Sequence, residues 1–508
     1  MIRQSGSLLI VLLTALVLWA PLPFGGATPW AAAILEVLCF TSLALAAAAA
    51  RPASLRSVLP PAAALAAVAL LAAAQSLPWP SGLASFLSPQ HAALYGQASS
   101  LPGVPPVALH LSLAPAASRA AALLWAAAAA ALLAGAAAGQ HRGPRRWLAA
   151  ALLTGGLFQV FFGAQEQIRG ARTLWGVDIP VSPRLHGTFV NPNHLALYLE
   201  MGLAVAFAWG WWAARRTRGE PQIERRLLLL AGPVLVWLTL FVGLALTGSR
   251  GGLLGALVGV TVQGVVASGA AGGSARRRWR TALFGLGAAV AGLLVVLAVA
   301  SLRDGGLARL LVTRGDVGVG ARLTEYRAVL RLWQRFPVLG AGIGSFADAF
   351  PLVQPAALGG TWWHAHSDVL ELLATAGALG VLLVAAGLAA LVRRLLAIMG
   401  GPGRSEDRAA ALALLGVCAA VAFHELVDFG LTMPANAVTL AALAGAASAV
   451  EAVRRSDASA KPHGARQDAP AADALDLEEV GAGRQGAVDP RHAGRPRRKR
   501  TKKRAVEP

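Results

Sequence analysis

The chain has 508 residues, of which 56% are hydrophobic and only 14% are charged. A soluble protein of this size carries about a quarter charged residues, so the composition excludes an ordinary soluble domain. The net charge of +20 does not indicate nucleic-acid binding, because arginines punctuate the gaps between apolar blocks and all four lysines follow residue 460. We expect no nucleic-acid partner.

The apolar residues fall in blocks long enough to cross a bilayer core of about 30 Å as helices. The alternating pattern of barrel strands is absent. The sequence therefore predicts an all-α integral membrane protein with about twelve transmembrane helices. The first block resembles a signal peptide, but prolines follow it where a small-residue cleavage site is needed, and we interpret it as an uncleaved span. The predicted spans lie near residues 7–23, 29–49, 57–77, 117–139, 147–164, 193–213, 227–246, 251–270, 281–301, 367–391, 409–427 and 434–452.

Breaks rich in arginine alternate with breaks that are poor in arginine or long. The positive-inside rule places the arginine-rich breaks and both termini in the cytoplasm of a bacterial inner-membrane protein. Residues 78–116 and 302–366 are then the long outer segments, and any active site at them is periplasmic. Residues 1–453 form the predicted membrane domain. Residues 454–508 form a basic cytoplasmic tail that we expect to be disordered and to contact anionic membrane lipids.

One polar cluster precedes the sixth span and contains Arg184, His186, Asn191, Asn193 and His194. Polar side chains at a span end favour a site at the membrane–water boundary over a conduction path, because a transporter needs ionisable groups near the bilayer midplane. A polar re-entrant turn satisfied internally is the alternative interpretation of this cluster.

Arg250 opens the eighth predicted span, in the segment Thr247-Gly-Ser-Arg-Gly-Gly. A cation at a helix N-terminus meets the partial positive charge of the helix macrodipole. An anionic ligand would relieve that conflict. The alternative is an arginine that extends to the lipid head groups.

Residues 321–336 carry apolar and arginine stripes at helical spacing, which predicts an amphipathic helix on the outer membrane surface. Arg322 falls outside the arginine stripe and is the better candidate for ligand binding. The apolar stripe consists of Leu323, Tyr326, Leu330, Trp333 and Phe336, and the arginine stripe of Arg327, Arg331 and Arg335.

His364 and His366 end the large outer loop, where Ser367 or Asp368 can cap the next helix. Proximity to a helix N-terminus lowers a histidine pKa, which favours a neutral imidazole able to accept a proton. The His-x-His spacing could supply half of a metal site. No well-spaced third and fourth ligands follow, so we expect no metal. The glycine-rich segment 340–344 follows no strand and predicts a turn rather than a phosphate loop.

Short motifs follow one another in a fixed order between residues 184 and 436. Each is weak alone, but their order and spacing are fairly specific. The motifs are Asn191-Pro-Asn193-His194; Ser249-Arg250-Gly-Gly; Arg322 followed by Pro337-Val-Leu-Gly340-Ala-Gly342-Ile-Gly344; His366-Ser367, nine residues, then Gly377-Ala-Leu-Gly380; and His424-Glu-Leu-Val-Asp428.

With these motifs, the chain resembles the O-antigen ligase and O-antigen polymerase family of bacterial membrane glycosyltransferases, with a related core over about 184–436. The family uses glycans carried by undecaprenyl diphosphate. The resemblance implies that Arg250 and Arg322 bind the diphosphate and that His366 is the general base. It implies an inverting transfer without a metal or cofactor. His364, Arg184, His186, Asn191, Asn193, His194 and Asp428 are further candidates for the site.

The acceptor is left open by the sequence. A ligase transfers the glycan to lipid A–core in lipopolysaccharide biosynthesis, which the histidine–glycine spacing favours, whereas a polymerase extends a second lipid-linked glycan of a surface polysaccharide. A protein O-oligosaccharyltransferase is a third possibility. A transporter of lipid-linked glycans is the alternative from another class, and it predicts internal repeats and midplane charges that are not evident.

Overall fold

The computed structural model describes residues 2–49, 55–103, 105, 107–179, 182–269, 319–401 and 404–449. The predicted span 281–301, the first part of the outer loop and the tail 454–508 lie outside these residues and stay predictions. The described part is mostly helical, with a small antiparallel hairpin formed by the two-residue strands β1 (Thr173–Leu174) and β2 (Val177–Asp178). The described helices are α1 (Ile2–Trp19), α2 (Pro29–Ala49), α3 (Leu59–Ser76), α4 (Ser81–Leu87), α5 (Pro89–Ser99), α6 (Pro115–Ala138), α7 (Arg142–Arg169), α8 (Pro192–Arg216), α9 (Ile223–Leu246), α10 (Arg250–Gly269), α11 (Val319–Arg335), α12 (Phe346–Ala349), α13 (Asp368–Gly400), α14 (Ser405–His424) and α15 (Pro434–Ser448).

Nine of the helices in the described ranges are long and apolar enough to cross a membrane. Each coincides with a predicted span, so the chain is a multi-pass membrane protein. Helices α1 and α15 occupy the first and last predicted spans, but α1 counts only as a shorter apolar helix over Gly6–Trp19 and α15 has 15 residues, so neither is among the nine. The count of twelve therefore stays a prediction.

Small residues set the packing of the bundle. Helices α6 and α15 run against each other with their backbones in contact, and a Cβ built on Gly135 would lie 2.1 Å from the Ala442 carbonyl oxygen. Such close approach is typical of membrane helices, where association depends on van der Waals contact. Helix α8 lies deepest: every residue from Asn193 to Ala204 is buried. This burial fixes the N-terminus of α8, where the polar cluster lies.

The two segments predicted to lie outside the membrane pack against each other. The Leu113 amide donates to the Ala341 carbonyl over 2.9 Å, and the ring centroids of His91 and Phe336 lie 4.6 Å apart. A separate apolar core joins α11, α12 and the start of α13 around Phe346 and Phe350. These contacts are those expected of segments that share one face of the membrane.

Helix α13 breaks at Gly377, whose backbone angles are φ 65° and ψ −170°. The break exposes backbone groups that the glycine-rich turn satisfies: the Ala378 amide donates to the Pro337 carbonyl over 2.9 Å, and the Ala374 carbonyl accepts from the Ala341 amide over 2.9 Å. Gly377 therefore permits a helix break that brings α13 against the turn, not close packing on a neighbouring helix. A Cβ on Gly380 would meet only Ala376 and Leu372 of its own helix.

Helix α11 is amphipathic as predicted, and the face that it buries against the protein lies beside the predicted apolar stripe. Leu323 and Leu330 are exposed. Exposure on the protein surface is compatible with the predicted contact of this stripe with the membrane surface, which stays a prediction. The buried residues are Glu325, Ala328, Val329, Leu332 and Phe336.

Candidate active site

Three histidines from two distant parts of the sequence surround the ring of Phe429, which lies between α14 and α15. His364 stacks on this ring with centroids 4.6 Å apart. His194 and His366 approach its edge at 4.8 Å and 5.3 Å. The structure thus brings together the polar cluster at α8, the end of the outer loop and the segment after α14.

His366 is held by side chains from two directions. Its Nδ1 lies 3.2 Å from a carboxylate oxygen of Glu325, and its carbonyl accepts a hydrogen bond of 2.9 Å from the Tyr326 hydroxyl. The indole of Trp362 packs against the imidazole edge at 5.4 Å. The His366 side chain is 22% exposed while Glu325 is fully buried. The geometry leaves Nε2 as the nitrogen directed away from the carboxylate.

The backbone at His366 is itself unusual, with φ at 46°. Residues other than glycine rarely adopt the left-handed region, and they persist there only where the surroundings enforce it. At His366 the two α11 contacts and the Ser367 cap supply that enforcement. The Ser367 hydroxyl accepts from the Leu370 amide over 3.3 Å, which confirms Ser367 as the cap of α13.

His364 has a different partner from His366. Its Nδ1 lies 3.2 Å from both carboxylate oxygens of Glu371. Burial lowers the pKa of His364, but hydrogen bonding to Glu371 and the charges of Glu371 and Asp368 outweigh burial and leave the pKa raised. A raised pKa favours the protonated form, contrary to the neutral imidazole expected from the nearby helix N-terminus. His364 is thus better suited to carry positive charge than to accept a proton.

The raised pKa of His364 predicts a pH-dependent effect of Glu371→Gln. Stability from the protonated imidazole is fully present below the unfolded pKa of about 6.5 and is lost as pH rises through the folded pKa. The wild type should therefore exceed the variant in melting temperature by more at about pH 5.5 than at about pH 8.5. In the wild type, the Ala365 amide donates to a carboxylate oxygen of Glu371 over 3.0 Å. Glutamine retains a side-chain oxygen that can accept this hydrogen bond. An equal difference in melting temperature between wild type and variant at both pH values would contradict a raised pKa at His364.

Arg184, Asn193 and Asp428 form one hydrogen-bonded chain. Arg184 donates to the Asn193 side-chain oxygen. The side-chain nitrogen of Asn193 in turn donates to the Asp428 carboxylate over 2.6 Å. The Asn191 side-chain oxygen caps α8 by accepting a hydrogen bond of 2.9 Å from the backbone N–H of Asn193. The hydrogen bonds among Arg184, Asn193 and Asp428 link three predicted site residues. They form a structural polar network at the edge of the site. His186 instead makes a local contact, 3.0 Å from the Phe189 carbonyl.

Arg250 and Arg322 both lie next to the segment 424–428. Arg322 donates to the Val427 carbonyl over 3.1 Å, and its Nε is buried without a hydrogen-bond partner. A Cβ on Gly251, beside Arg250, would lie 3.2 Å from the Val427 side chain. The exposed Arg250 opens α10 as predicted. The two arginines predicted to bind one diphosphate therefore border the same short segment.

Sequence reasoning missed the acidic residues that support the histidines. Glu325 lies in the segment 321–336, whose pattern indicated only an amphipathic helix. Glu425 is buried, and it accepts from the Gly430 amide over 2.8 Å. Burial and the neighbouring Asp368 charge raise the pKa of Glu425 well above its ordinary value. Glu200 lies 2.6 Å from His424, and this contact joins two spans that no local sequence signal pairs.

Comparison with known families gives one finding for this site. The sequence model of the O-antigen ligase family matches residues 234–385, which confirms the resemblance seen in the motifs. The matched range includes both arginines, Glu325 and both loop histidines, but it ends before Phe429. No curated protein matches the chain. Within the described residues, no three His, Cys, Asp or Glu side chains are arranged to hold a metal ion.

Proposed function

Because the chain is a multi-pass membrane protein that resembles the O-antigen ligases over residues 234–385, we propose that it transfers glycan from undecaprenyl diphosphate to an acceptor hydroxyl. The single observation that carries the proposal is the pair His366–Glu325 at 3.2 Å, with Arg322 one helical turn before Glu325. With His366 as base and Arg322 as cation, both groups would lie at one end of α11. Both are needed when a sugar leaves a diphosphate.

His366 takes the role of general base. With Nδ1–H donating to an ionised Glu325, the lone pair on Nε2 accepts the proton of the acceptor hydroxyl as its oxygen attacks the anomeric carbon. The bond from that carbon to the diphosphate oxygen breaks with its electron pair on the diphosphate. Attack opposite the leaving group inverts the anomeric configuration. No metal takes part in these steps.

Arg250 and Arg322 take the role of diphosphate ligands. Guanidinium groups offer paired N–H donors that fit phosphate oxygens, and charge that develops on the leaving group is stabilised best by groups already in place. The unpartnered Nε of Arg322 supports this role, since a buried donor without an acceptor is costly. A phosphate oxygen would satisfy it.

Replacing Arg322 with alanine should lower glycan transfer by a factor of about 100 to 1,000, as loss of one charge-stabilising donor does in other enzymes. Arg327→Ala is the matched control, because Arg327 is an exposed arginine of the same helix. It should retain near wild-type transfer. Equal losses in the two variants would indicate a general effect of charge on α11 and contradict the assigned role.

The function is tested with purified protein and undecaprenyl-diphosphate glycan. Lipid A–core and a second lipid-linked glycan are supplied as acceptors in separate reactions. The proposal expects product with lipid A–core, in lipopolysaccharide biosynthesis at the periplasmic face of the inner membrane. A ladder of longer lipid-linked chains would make the chain a polymerase. If neither acceptor gave product, both the ligase and the polymerase function would be overturned. Protein acceptors and transport would then remain to be tested.

A further inference from the structure

A cleft of about 460 Å³ lies far from the proposed active site. Helix α14 begins at Ser405 beside this cleft and ends at His424 beside the site. Twenty helical residues rise about 30 Å, which is the thickness of a bilayer core. The cleft and the site therefore occupy opposite membrane faces. The cleft walls are apolar and include Leu148, Leu153, Val205, Leu414, Val417 and Leu443.

Arginines line the polar end of the cleft. Arg142, Arg145 and Arg146 occupy the first turn of α7, where the macrodipole makes cations unfavourable. Arg145 lies 3.2 Å from Asp407, and Arg146 lies 2.7 Å from Glu406. Three arginines thus face two carboxylates. The start of α14 adds a second positive helix end.

Arg145 gives independent evidence for a missing acceptor. Its side chain is 10% exposed, and its Nη1 is buried with no hydrogen-bond partner. A buried guanidinium N–H that makes no hydrogen bond costs free energy. An anion at this end of the cleft would satisfy it and offset the surplus positive charge.

We propose that this cleft binds an anionic phospholipid, with its phosphate at the arginines and an acyl chain along the apolar walls. Trp209 and Trp212 also line the cleft, and tryptophan is enriched at the head-group level of membranes. The occupant is a lipid of the leaflet opposite the active site. The lipid carrier of the proposed reaction is a poor fit, because its diphosphate would lie a membrane thickness from His366.

The test is native mass spectrometry of the full-length protein in detergent, titrated with phosphatidylglycerol or phosphatidylcholine. We expect preferential retention of phosphatidylglycerol. The double variant Arg142→Gln/Arg146→Gln should bind it more weakly by about fivefold for each arginine removed, since a basic residue near an anionic lipid contributes about that factor. Arg226→Gln, an exposed arginine outside the cleft, is the matched control and should bind as wild type.

Ala413→Phe provides a second variant that leaves the arginines unchanged. Ala413 lines the cleft, so a phenylalanine ring there should fill it and reduce phosphatidylglycerol retention while the melting temperature confirms folding. Equal retention of phosphatidylcholine, full binding by the filled variant or equal weakening in the control would each overturn the proposal. Tighter binding of undecaprenyl phosphate than of phosphatidylglycerol would also overturn it, because the cleft would then serve the lipid carrier.

Discussion

His366→Ala is expected to abolish glycan transfer in a protein that still folds and inserts. Removing a general base costs a factor of about 100 to 10,000 in rate. The buried Glu325 loses its partner in this variant, but burial already raises the pKa of Glu325 despite the opposing effects of His366 and Arg322, so the carboxyl can become protonated. The measurement is transfer by purified protein, with the melting temperature recorded alongside.

Three further variants make the His366 result specific. His366→Asn should be equally inactive but better folded, because asparagine tolerates left-handed backbone. His364→Ala should retain most of the transfer, since the raised pKa of His364 makes it a poor base. Glu325→Gln should reduce transfer and shift its pH profile, as expected of a residue that positions the imidazole. Activity in His366→Ala together with inactivity in His364→Ala would assign the base to His364.

Gly377→Ala is expected to destabilise the protein strongly. The backbone angles at Gly377 belong to a region that essentially only glycine occupies, at a cost of about 1–3 kcal/mol for other residues. A Cβ there would also lie 2.2 Å from the Val338 carbonyl oxygen. Because that neighbour is backbone and cannot rotate away, overpacking adds a further 1–3 kcal/mol or so. The melting temperature and the yield of folded protein should both fall.

Gly400→Ala is the matched control for Gly377→Ala. Gly400 ends the same helix, and a Cβ there would meet nothing within 4 Å. Alanine should therefore be neutral or slightly stabilising. A normal melting temperature for Gly377→Ala would mean that α13 runs straight in the membrane, and that the contacts between α13 and the glycine-rich turn are not needed.

The sequence predicted the fold wherever the signal is local. Blocks of apolar residues located nine spans of the described part, and Ser367 was a candidate cap for a helix start, because length, hydropathy and capping act over a few residues. The glycine turn at 340–344 was also predicted correctly: Gly340, Gly342 and Gly344 all have positive φ. What the turn contacts was not predictable, since its partner lies more than thirty residues further along the chain.

The candidate site was predictable only through its motif residues. The motifs pointed to His366, Arg250 and Arg322. Their supporting residues follow from packing between distant elements: Glu325 faces His366 because α11 buries a face that its arginines do not reveal. Phe429 was passed over because an apolar residue near a span end is ordinary. Its role emerges only when three histidines converge on it.

The position of Phe429 also determines what can be transplanted between proteins. Residues 234–385 contain the proposed base and both arginines, but His194 enters the same aromatic cluster from α8 and Phe429 enters it from beyond α14. A chimaera that grafts only the 234–385 segment into a relative would sever this cluster on both sides. Donor specificity should therefore be transferred only by an exchange that spans α8 to the start of α15, a unit larger than the segment matched by the family model.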